Sequence, residues 1–284
     1  MISILAKTLK YFLRLLPHSH LGNRVFYFIY FIYSQRRFPD NRKNISNYFY
    51  KIKSSDKGYD PLLAFISDKS YVKDYISLKL GEQYCVPTIK VCDSFDEFGK
   101  FNLPPSCCIK PTHLSGEVIF KHSDNDEIDL KKIQEWFNTN YYYLSREKNY
   151  RFLSPRVIIE ELVFGSDKNE DLKFFCYQGK LRFIQIDLNR WTNHSRIYFD
   201  KEWNKLDFSI SKRISDEDYP KPSNLEIMVS LAEKVSKDFE FIRVDFYTDE
   251  SQIFIGELTN LPEAGNGNFI PPESEDLASK IFFE

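Results

Sequence analysis

Near its C-terminal end the sequence alternates between apolar and polar residues over two short stretches joined by a polar turn. The stretches cover residues 241–247 and 252–258, and the turn covers residues 248–251. Because side chains alternate between the two faces of a strand, this pattern predicts a β-hairpin. Arg243 and Asp245 then point to the same side of the first strand.

An acidic residue interrupts the apolar pattern of the second strand. The alternation predicts that Glu257 shares a face with Ile253 and Ile255, and such violations tend to mark functional sites. Two carboxylates on neighbouring strands beside an arginine suit Mg²⁺ and a phosphate, because Mg²⁺ prefers hard oxygen ligands. The other interpretation is a surface hairpin in which Arg243 and Asp245 form an ordinary salt bridge.

Length and charge set broad limits. A chain of 284 residues can form one large domain or two to three small packed domains. Its 39 Lys and Arg nearly balance 41 Asp and Glu, which argues against a general nucleic-acid-binding protein, so no nucleic-acid partner is expected.

The cysteines lack the spacing of a metal site. There are five, at positions 85, 92, 107, 108 and 176. An odd number without a recognisable signal peptide fits a reducing compartment, so we expect small core residues in a cytoplasmic protein.

Residues 1–33 differ in character from the rest. Residues 1–16 place apolar side chains at helical spacing among lysines and an arginine, and residues 25–33 form an apolar run of only nine residues. Spanning a bilayer takes about 20 residues. The segment therefore predicts either helices packed on the body of the protein, which we favour, or a basic amphipathic foot at the inner face of a membrane.

From Pro61 onward, strand pairs mix with packing helices. Helices are predicted at about 70–80, 126–139 and 224–237, and strands at 107–110, 118–121, 156–162, 171–177, 181–187 and 196–200. Ser223 and Glu226 fit a capping box at the start of the last helix. This mixture predicts an α+β architecture with antiparallel sheets.

Several motifs occur in a characteristic order. They are Asp68-Lys69-x-x-Val72-Lys73-x-Tyr75, the Lys173–Lys180 segment, Thr192-Asn193-His194 with Arg196, Phe241-x-Arg243-Val244-Asp245 and Gly256-Glu257-Leu258-Thr259. Together they resemble the TupA-like branch of the ATP-grasp superfamily, over roughly residues 60–272. The combined order is far more specific than any single motif.

The resemblance implies an ATP-grasp fold, in which two α+β lobes with antiparallel sheets clamp ATP. The body would cover residues 61–284, with a small ATP-binding lobe at about 107–162 and a larger lobe with the magnesium-binding hairpin at about 163–284. Residues 1–60 would be a preceding helical and apolar segment.

The resemblance also assigns nucleotide contacts. Lys69 and Lys110 resemble the lysines that reach the phosphates, and the loop containing His113, Ser115 and Gly116 resembles the flexible phosphate cover. The segment Glu160-Glu161-Leu162 resembles the hinge that would contact adenine through its backbone. Lys173, on the strand beyond the hinge, would face the nucleotide.

Metal and substrate roles follow from the same resemblance. Asp245 and Glu257 would bind Mg²⁺, together with Thr259 and Asn260, which stand where the family pattern has one asparagine two residues after the glutamate. Arg243, Lys110 and Arg196 would act in catalysis. The substrate cluster would comprise Arg190, Asn193, His194 and Arg196. Glu263 follows Pro262 where a glycine is expected, which indicates a remodelled substrate-side loop.

The implied activity is ATP- and Mg²⁺-dependent ligation of a carboxylate to an amine through an acyl phosphate. The family is associated with cell-surface polysaccharides, which suggests a sugar carboxylate or polysaccharide precursor and an amino acid or other amine in capsule or O-antigen synthesis. One alternative is a metal-dependent glycosyltransferase, although Asp124-x-Asp126 lies in a polar segment typical of a turn. The other is a non-catalytic ATP-grasp scaffold. The sequence does not indicate an oligomeric state.

Overall fold

The computed structural model describes residue 13 and the ranges 15–165, 171–190 and 192–284. The predictions for residues 1–12 and 14 therefore lie outside the described residues. In the described ranges the helices are α1 (His20–Gln35), α2 (Ile45–Ser54), α3 (Pro61–Ser67), α4 (Tyr71–Leu80), α5 (Phe95–Lys100), α6 (Leu130–Phe137), α7 (Tyr141–Ser145), α8 (Leu225–Ser236) and α9 (Ser274–Phe283).

Three sheets accompany these helices. The strands are β1 (Thr88–Cys92), β2 (Cys107–Pro111), β3 (Ile119–Lys121), β4 (Val157–Glu160), β5 (Leu172–Tyr177), β6 (Lys180–Leu188), β7 (Ser195–Phe199), β8 (Lys205–Leu206), β9 (Ser209–Ile210), β10 (Arg213–Ile214), β11 (Phe241–Thr248), β12 (Ile253–Thr259) and β13 (Phe269–Ile270).

The strands pair mainly with antiparallel neighbours. The small sheet has the order β1-β4-β2-β3, the large sheet has the order β10-β7-β6-β5-β11-β12 with β8 paired to β7, and β13 pairs with β9. Among these pairs, β10 with β7 is parallel. The predicted α+β class with antiparallel sheets is confirmed.

The small sheet includes a strand that the sequence did not reveal. β1 pairs with β4 and brings Thr88–Cys92 into a sheet whose other strands lie within residues 107–160. One face of this sheet packs on α6, where Ile109 and Ile159 meet Ile133 and Trp136. The helix α6 begins later than predicted because the Asp129 side chain accepts a hydrogen bond from the Lys132 N–H and caps it.

The large sheet buries a different kind of surface on each side. One side packs Phe174, Ile184 and Val244 against α4 and α8, through residues such as Ile76 and Met228. On the other side an aromatic cluster lies under α2 and α9; its members include Phe49, Phe175, Phe183, Tyr198, Phe241 and Phe282.

The start of α8 differs from the predicted capping box. Asn224, not Ser223, is the N-cap residue, and its side chain makes no capping hydrogen bond. Ser223 Oγ instead donates to Glu250 Oε2 at 2.6 Å, while Asn224 Nδ2 donates to Thr248 Oγ1 at 2.7 Å. The helix start is thus attached to the turn of the β11–β12 hairpin.

The described part of the N-terminal segment packs on the body. Tyr27 in α1 donates to the Arg146 carbonyl, and Asn23 Nδ2 donates to Tyr142 Oη at 2.7 Å. The buried Arg146 guanidinium in turn donates to the carbonyls of Leu16 and Pro17. Within the described residues, no helix is both long enough and apolar enough to cross a membrane.

The cysteines behave as core residues, as expected. All five are free thiols, and four are buried while Cys85 is half-buried. Burial raises the pKa of Cys92 and Cys108 to about 11, so these thiols stay protonated at neutral pH.

Candidate active site

A row of polar side chains crosses the large sheet from β12 to β7. Glu257 stands opposite Asp245, Asp245 opposite Lys173, Lys173 opposite Gln185, and Gln185 opposite Tyr198. Directly opposite residues on antiparallel strands share a face, so these five side chains lie on the same side of the sheet as the aromatic cluster. The row therefore lies next to the part of this face that α2 and α9 cover.

The orientation of Glu257 differs from the prediction because of a β-bulge. The pairing register shifts between Asp245–Glu257 and Phe246–Ile255, which leaves Gly256 as the additional residue. Ile253, Ile255 and Leu258 enter the apolar core, whereas Glu257 turns to the face of Asp245. Its predicted face, shared with Ile253 and Ile255, was wrong because simple alternation does not anticipate a bulge.

Gly256 leaves room for the Tyr247 ring. A Cβ atom at this position would lie 2.3 Å from Tyr247 Cε2. The Tyr247 phenol lies within electrostatic range of Asp171, Lys110, Asp245 and Glu257. The sequence motifs gave no role to this tyrosine.

Asp245 is buried and surrounded by cations. Arg243 donates to both of its oxygens at 2.6 Å, and Lys173 Nζ lies 3.2 Å from Oδ2. Burial alone would raise the pKa of Asp245, but these two cations outweigh it and hold the pKa below its usual value. Asp245 is therefore ionised at neutral pH.

Thr259 and Asn260 are placed differently from each other. Thr259 Oγ1 accepts a hydrogen bond from Arg243 Nη2 at 3.0 Å and donates to Glu257 Oε1 at 3.1 Å. The Asn260 side chain is buried and accepts from Asn149 Nδ2 at 3.2 Å. Of these two residues, Thr259 lies beside Glu257, whereas the side chain of Asn260 is hydrogen-bonded to Asn149.

A second acidic centre, Asp187, organises the predicted substrate cluster. Arg196 Nε donates to Asp187 Oδ1 at 2.6 Å, His194 Nε2 lies 3.0 Å from the same oxygen, and Lys173 Nζ lies 3.7 Å from Oδ2. Burial would raise the pKa of Asp187, but Arg196 and Lys173 hold it far below the usual range. Sequence reasoning missed Asp187 because its strand also contains Lys180, Arg182 and Gln185, so the acid does not stand out in the local pattern.

The other members of that cluster lie at its edge. Arg190 Nη1 pairs with Asp171 Oδ2 at 2.8 Å, and Lys173 pairs with the same oxygen at 2.7 Å. Asn193 lies on the exposed turn before β7, where its carbonyl accepts a bond from Arg213 at 3.5 Å. Arg190, His194 and Arg196 are brought together around acidic partners, and Asn193 is peripheral.

A cluster of lysines from α4, from the residues before it and from β2 surrounds one carboxylate of the small sheet. Lys110 Nζ lies 2.9 Å from Glu160 Oε2, and Lys73 pairs with Glu160 Oε1. Lys69 donates to the Leu114 carbonyl and interacts electrostatically with Glu257 across the cleft. Three cations around a single acid leave an excess of positive charge, which suits an anionic ligand. Lys73 lies within a quoted motif, but its role at this cluster was missed.

His113 anchors the loop that it was predicted to help form. Its Nε2 lies 3.0 Å from the Trp136 carbonyl, and its Nδ1 accepts from the Arg156 N–H at 3.4 Å. Burial lowers the pKa of this histidine, so the ring is neutral and both nitrogens are bonded to backbone. His113 therefore does not contact a phosphate in this arrangement, and Ser115 and Gly116 form the exposed tip of the loop.

Two backbone groups of the hinge segment form hydrogen bonds within the protein. The Glu161 N–H donates to the Pro87 carbonyl at 3.1 Å, and the Leu162 carbonyl accepts from the Gly165 N–H at 3.2 Å. Glu160 faces the lysines, whereas Glu161 is exposed. A contact from the Glu161 N–H to adenine would require its internal bond to break, whereas the Leu162 carbonyl can accept a second hydrogen bond.

The opposed carboxylates fit a magnesium ion chemically. The described ranges contain no group of three or more His, Cys, Asp and Glu side chains that could hold a metal. Magnesium, however, commonly takes one or two protein carboxylates and completes its shell with phosphate oxygens and water. Asp245, Glu257 and the Thr259 hydroxyl supply hard oxygen atoms of that kind.

Comparison with solved structures finds partial likenesses. A D-alanine–D-alanine ligase from Bacillus anthracis is 18% identical, with a TM-score of 0.45, over 78% of this chain and 66% of that one. An L-amino acid ligase from Bacillus licheniformis is 9% identical, with a TM-score of 0.44, over 75% of this chain and 48% of that one. The chain thus spans less than two thirds of the length of these proteins. At these values the likeness carries no argument about activity.

Sequence comparison is more decisive. No curated protein matches the chain. The model of the TupA-like ATP-grasp family matches residues 50–282, which is most of the sequence and includes the polar row, the lysine cluster and the hairpin. The chain belongs to the TupA-like ATP-grasp family.

Proposed function

We propose that the protein uses ATP and Mg²⁺ to join a carboxylate to an amine. The observation that carries this proposal is that Lys69 lies within electrostatic range of Glu257, the carboxylate directly opposite Asp245, and of Lys110, which pairs with Glu160. Lysines on one side and acidic metal ligands on the other suit a metal-bound triphosphate. Membership of an ATP-grasp family agrees with that assignment.

The lobes would divide the nucleotide between them. Lys69 and Lys110 are the proposed partners of the phosphates, and Ser115 and Gly116 would approach the terminal phosphate from the loop tip. The hinge at residues 160–162 would border the adenine. Asp245, Glu257 and Thr259 would hold Mg²⁺, which when bound neutralises phosphate charge and orients the triphosphate.

The reaction would proceed in two balanced steps. A substrate carboxylate oxygen attacks the γ-phosphorus of ATP, and the bond from this phosphorus to the β-phosphate oxygen breaks. ADP departs and an acyl phosphate is formed. The amine nitrogen then attacks the acyl carbon, the carbon–oxygen bond to phosphate breaks, and the nitrogen loses a proton. No protein nucleophile is needed, so the residues act by positioning and by charge stabilisation.

The cations on the large sheet fit the carboxylate side of this chemistry. Arg243 is held rigidly by its two bonds to Asp245 and would stabilise negative charge on the transferring phosphoryl group. Arg196 and His194, fixed by Asp187, would orient the carboxylate. Arg190 lies at the edge of the same cluster.

The substrates are proposed from the family context. A sugar carboxylate or polysaccharide precursor would accept an amino acid or another amine, in the cytoplasm, during synthesis of a capsule, O-antigen or related surface polysaccharide. The charge cluster of Arg190, His194 and Arg196 agrees with an anionic substrate.

Hydroxylamine tests this activity without knowledge of the natural amine, because it converts an acyl phosphate into a hydroxamate. We expect hydroxamate and ADP to form when a panel of uronic acids and amino acids is incubated with ATP, Mg²⁺ and the protein. Glu257→Gln should abolish both products, and Glu226→Gln, an exposed acid on α8, should retain them.

Two results would favour one of the alternative functions. Release of UDP from a UDP-sugar, without ADP formation from ATP, would favour the metal-dependent glycosyltransferase. Absence of any turnover in a folded protein that also fails to bind nucleotide would favour the scaffold.

A further inference from the structure

The helix α1 exposes an apolar face to solvent. Leu21 is 72% exposed and Phe28 is 39% exposed. They lie seven residues apart and share a side of the helix with the half-buried Ile32, opposite the buried Asn23. The Phe28 ring contacts Phe38, which is 69% exposed, at a centroid distance of 6.1 Å. We call Leu21, Phe28, Ile32 and Phe38 the outer face of α1.

This face lies in a part of the chain with only positive formal charge. Residues 1–39 contain six Lys and Arg and no Asp or Glu, although acids outnumber bases in the whole chain by 41 to 39. Arg24 is exposed beside the outer face, and Arg36 is exposed at the end of the helix, where it lies 5.0 Å from the Tyr33 ring centroid. Exposed apolar groups bordered by arginine suit a surface that is both apolar and anionic.

The outer face is held in place by the body of the protein. The buried face of α1 is attached through Asn23 and Tyr27 to Tyr142 and the Arg146 carbonyl. Asn149, three residues beyond Arg146, bonds to Asn260, directly after β12. The helix α1 is therefore attached to a segment that also contacts the end of the β11–β12 hairpin.

We propose that the outer face of α1 binds the surface of an anionic phospholipid bilayer. The helix lies parallel to the surface, with Phe28 and Phe38 at the level of the headgroups and Arg24 and Arg36 on the phosphates. A second copy of the chain fits less well, because a symmetric pairing would bring the arginines of both copies together. This proposal is independent of the proposed reaction, since lipid binding requires no nucleotide.

Vesicle co-sedimentation of the full chain tests the proposal. Vesicles of phosphatidylglycerol and phosphatidylcholine should bind the protein about tenfold more tightly than phosphatidylcholine alone, and high salt should weaken the difference. Phe28→Ser should reduce binding about tenfold. Arg24→Gln should reduce it about fivefold.

Matched controls distinguish binding by this face from nonspecific binding of exposed apolar or charged residues to vesicles. Leu78→Ser removes a leucine that is 82% exposed on α4, and Lys201→Gln removes an exposed cation; both should bind vesicles like the wild type. Circular dichroism and thermal unfolding confirm that each variant is folded.

Either of two results would overturn the proposal. One is equal binding of the wild type to both kinds of vesicle, or equal loss in Leu78→Ser and Phe28→Ser. The other is an absence of vesicle binding together with a dimer, measured by light scattering, that Phe28→Ser dissociates; the face would then bind a second copy.

Discussion

At the scale of residues, neighbouring positions on one face of the large sheet serve different purposes. On β5, Phe175 lies in the aromatic cluster while Lys173, two residues earlier on the same face, pairs with Asp245. On β11, Phe241 is likewise apolar and Arg243 and Asp245 are charged. Because α2 and α9 cover only the aromatic part, the charged part is left to line the cleft.

Gly256 is the residue whose replacement most directly tests the bulge. Gly256→Ala places a Cβ atom 2.3 Å from Tyr247 Cε2, so the ring must move. We expect a loss of about 1–3 kcal/mol in the free energy of unfolding, measured by chemical denaturation. In a Tyr247→Ala background the same substitution should have a much smaller effect. An equal cost in both backgrounds would contradict the proposed clash.

Glu147 gives the protein a pH dependence with a defined sign. Burial raises the pKa of this carboxyl to about 7, above its value in the unfolded chain. Between that lower value and pH 7 the folded state binds more protons than the unfolded state, so stability falls as pH rises through this range. Over this pH range the free energy of unfolding of the wild type should fall by about 2–3 kcal/mol relative to that of Glu147→Gln.

Denaturation of both proteins at intervals from pH 4.5 to 7.5 measures this difference. Histidine titration is common to both proteins and cancels in the comparison. Lys53, whose pKa burial lowers to about 7, contributes mainly above that pH. A difference between wild type and variant that stays constant with pH would show that Glu147 has an ordinary pKa in the folded protein.

At the scale of elements, the sequence predicted those segments whose periodicity is not interrupted. The helix at 70–80 is present as α4, the paired strands around Gln178-Gly179 are β5 and β6, and the C-terminal hairpin is β11 and β12. In each of these the hydrophobic pattern determines which side is buried, except where the pairing register shifts, between Phe175 and Cys176 and between Asp245 and Phe246. The turn of the final hairpin was predicted one residue too early, because the connection between β11 and β12 covers residues 249–252 rather than 248–251.

The failures have local physical causes. The orientation of Glu257 depends on a bulge, which adds one residue without changing composition. β1 is short and its residues are mostly half-buried or exposed, so its alternation is weak. His113 and Asn260 bond to distant backbone and side chains, and such long-range partners are not encoded in local spacing; the predicted roles of these two residues stay predictions.

The start of α8 offers a test at this scale. Asn224→Ala removes the bond to Thr248 together with a buried side chain, so we expect a loss of about 1–2 kcal/mol in the free energy of unfolding. Ser223→Ala removes an exposed bond to Glu250 and should cost less than about 0.5 kcal/mol. Thermal or chemical unfolding of the two variants measures the difference. The reverse order would restore the capping box as the correct description.

At the scale of the whole molecule, one segment links the two lobes. Tyr75 in α4 bonds to the Val235 carbonyl at 3.2 Å and belongs to the core of the large sheet. The residues just before and within this helix reach the small lobe, because the Lys69 N–H bonds to the Thr112 carbonyl at 3.0 Å and Lys73 pairs with Glu160. Lys69 and Lys73 are thus fixed relative to both sheets.

We propose that ATP binds through Lys69, Lys110 and the Asp245–Glu257 pair. Glu257 is the more informative ligand to change, since Asp245 is needed to balance Arg243 and Lys173 in a buried cluster. Glu257→Gln should leave stability nearly unchanged and act mainly on ligand binding.

The most direct measurement is calorimetric titration of the wild type, Glu257→Gln and the control Glu226→Gln with ATP and with a UDP-sugar, each with and without Mg²⁺. We predict one ATP per chain, bound only with Mg²⁺, and an affinity reduced at least about tenfold in Glu257→Gln but not in the control. Binding of the UDP-sugar without binding of ATP, or ATP binding that is indifferent to both Mg²⁺ and Glu257, would contradict the account.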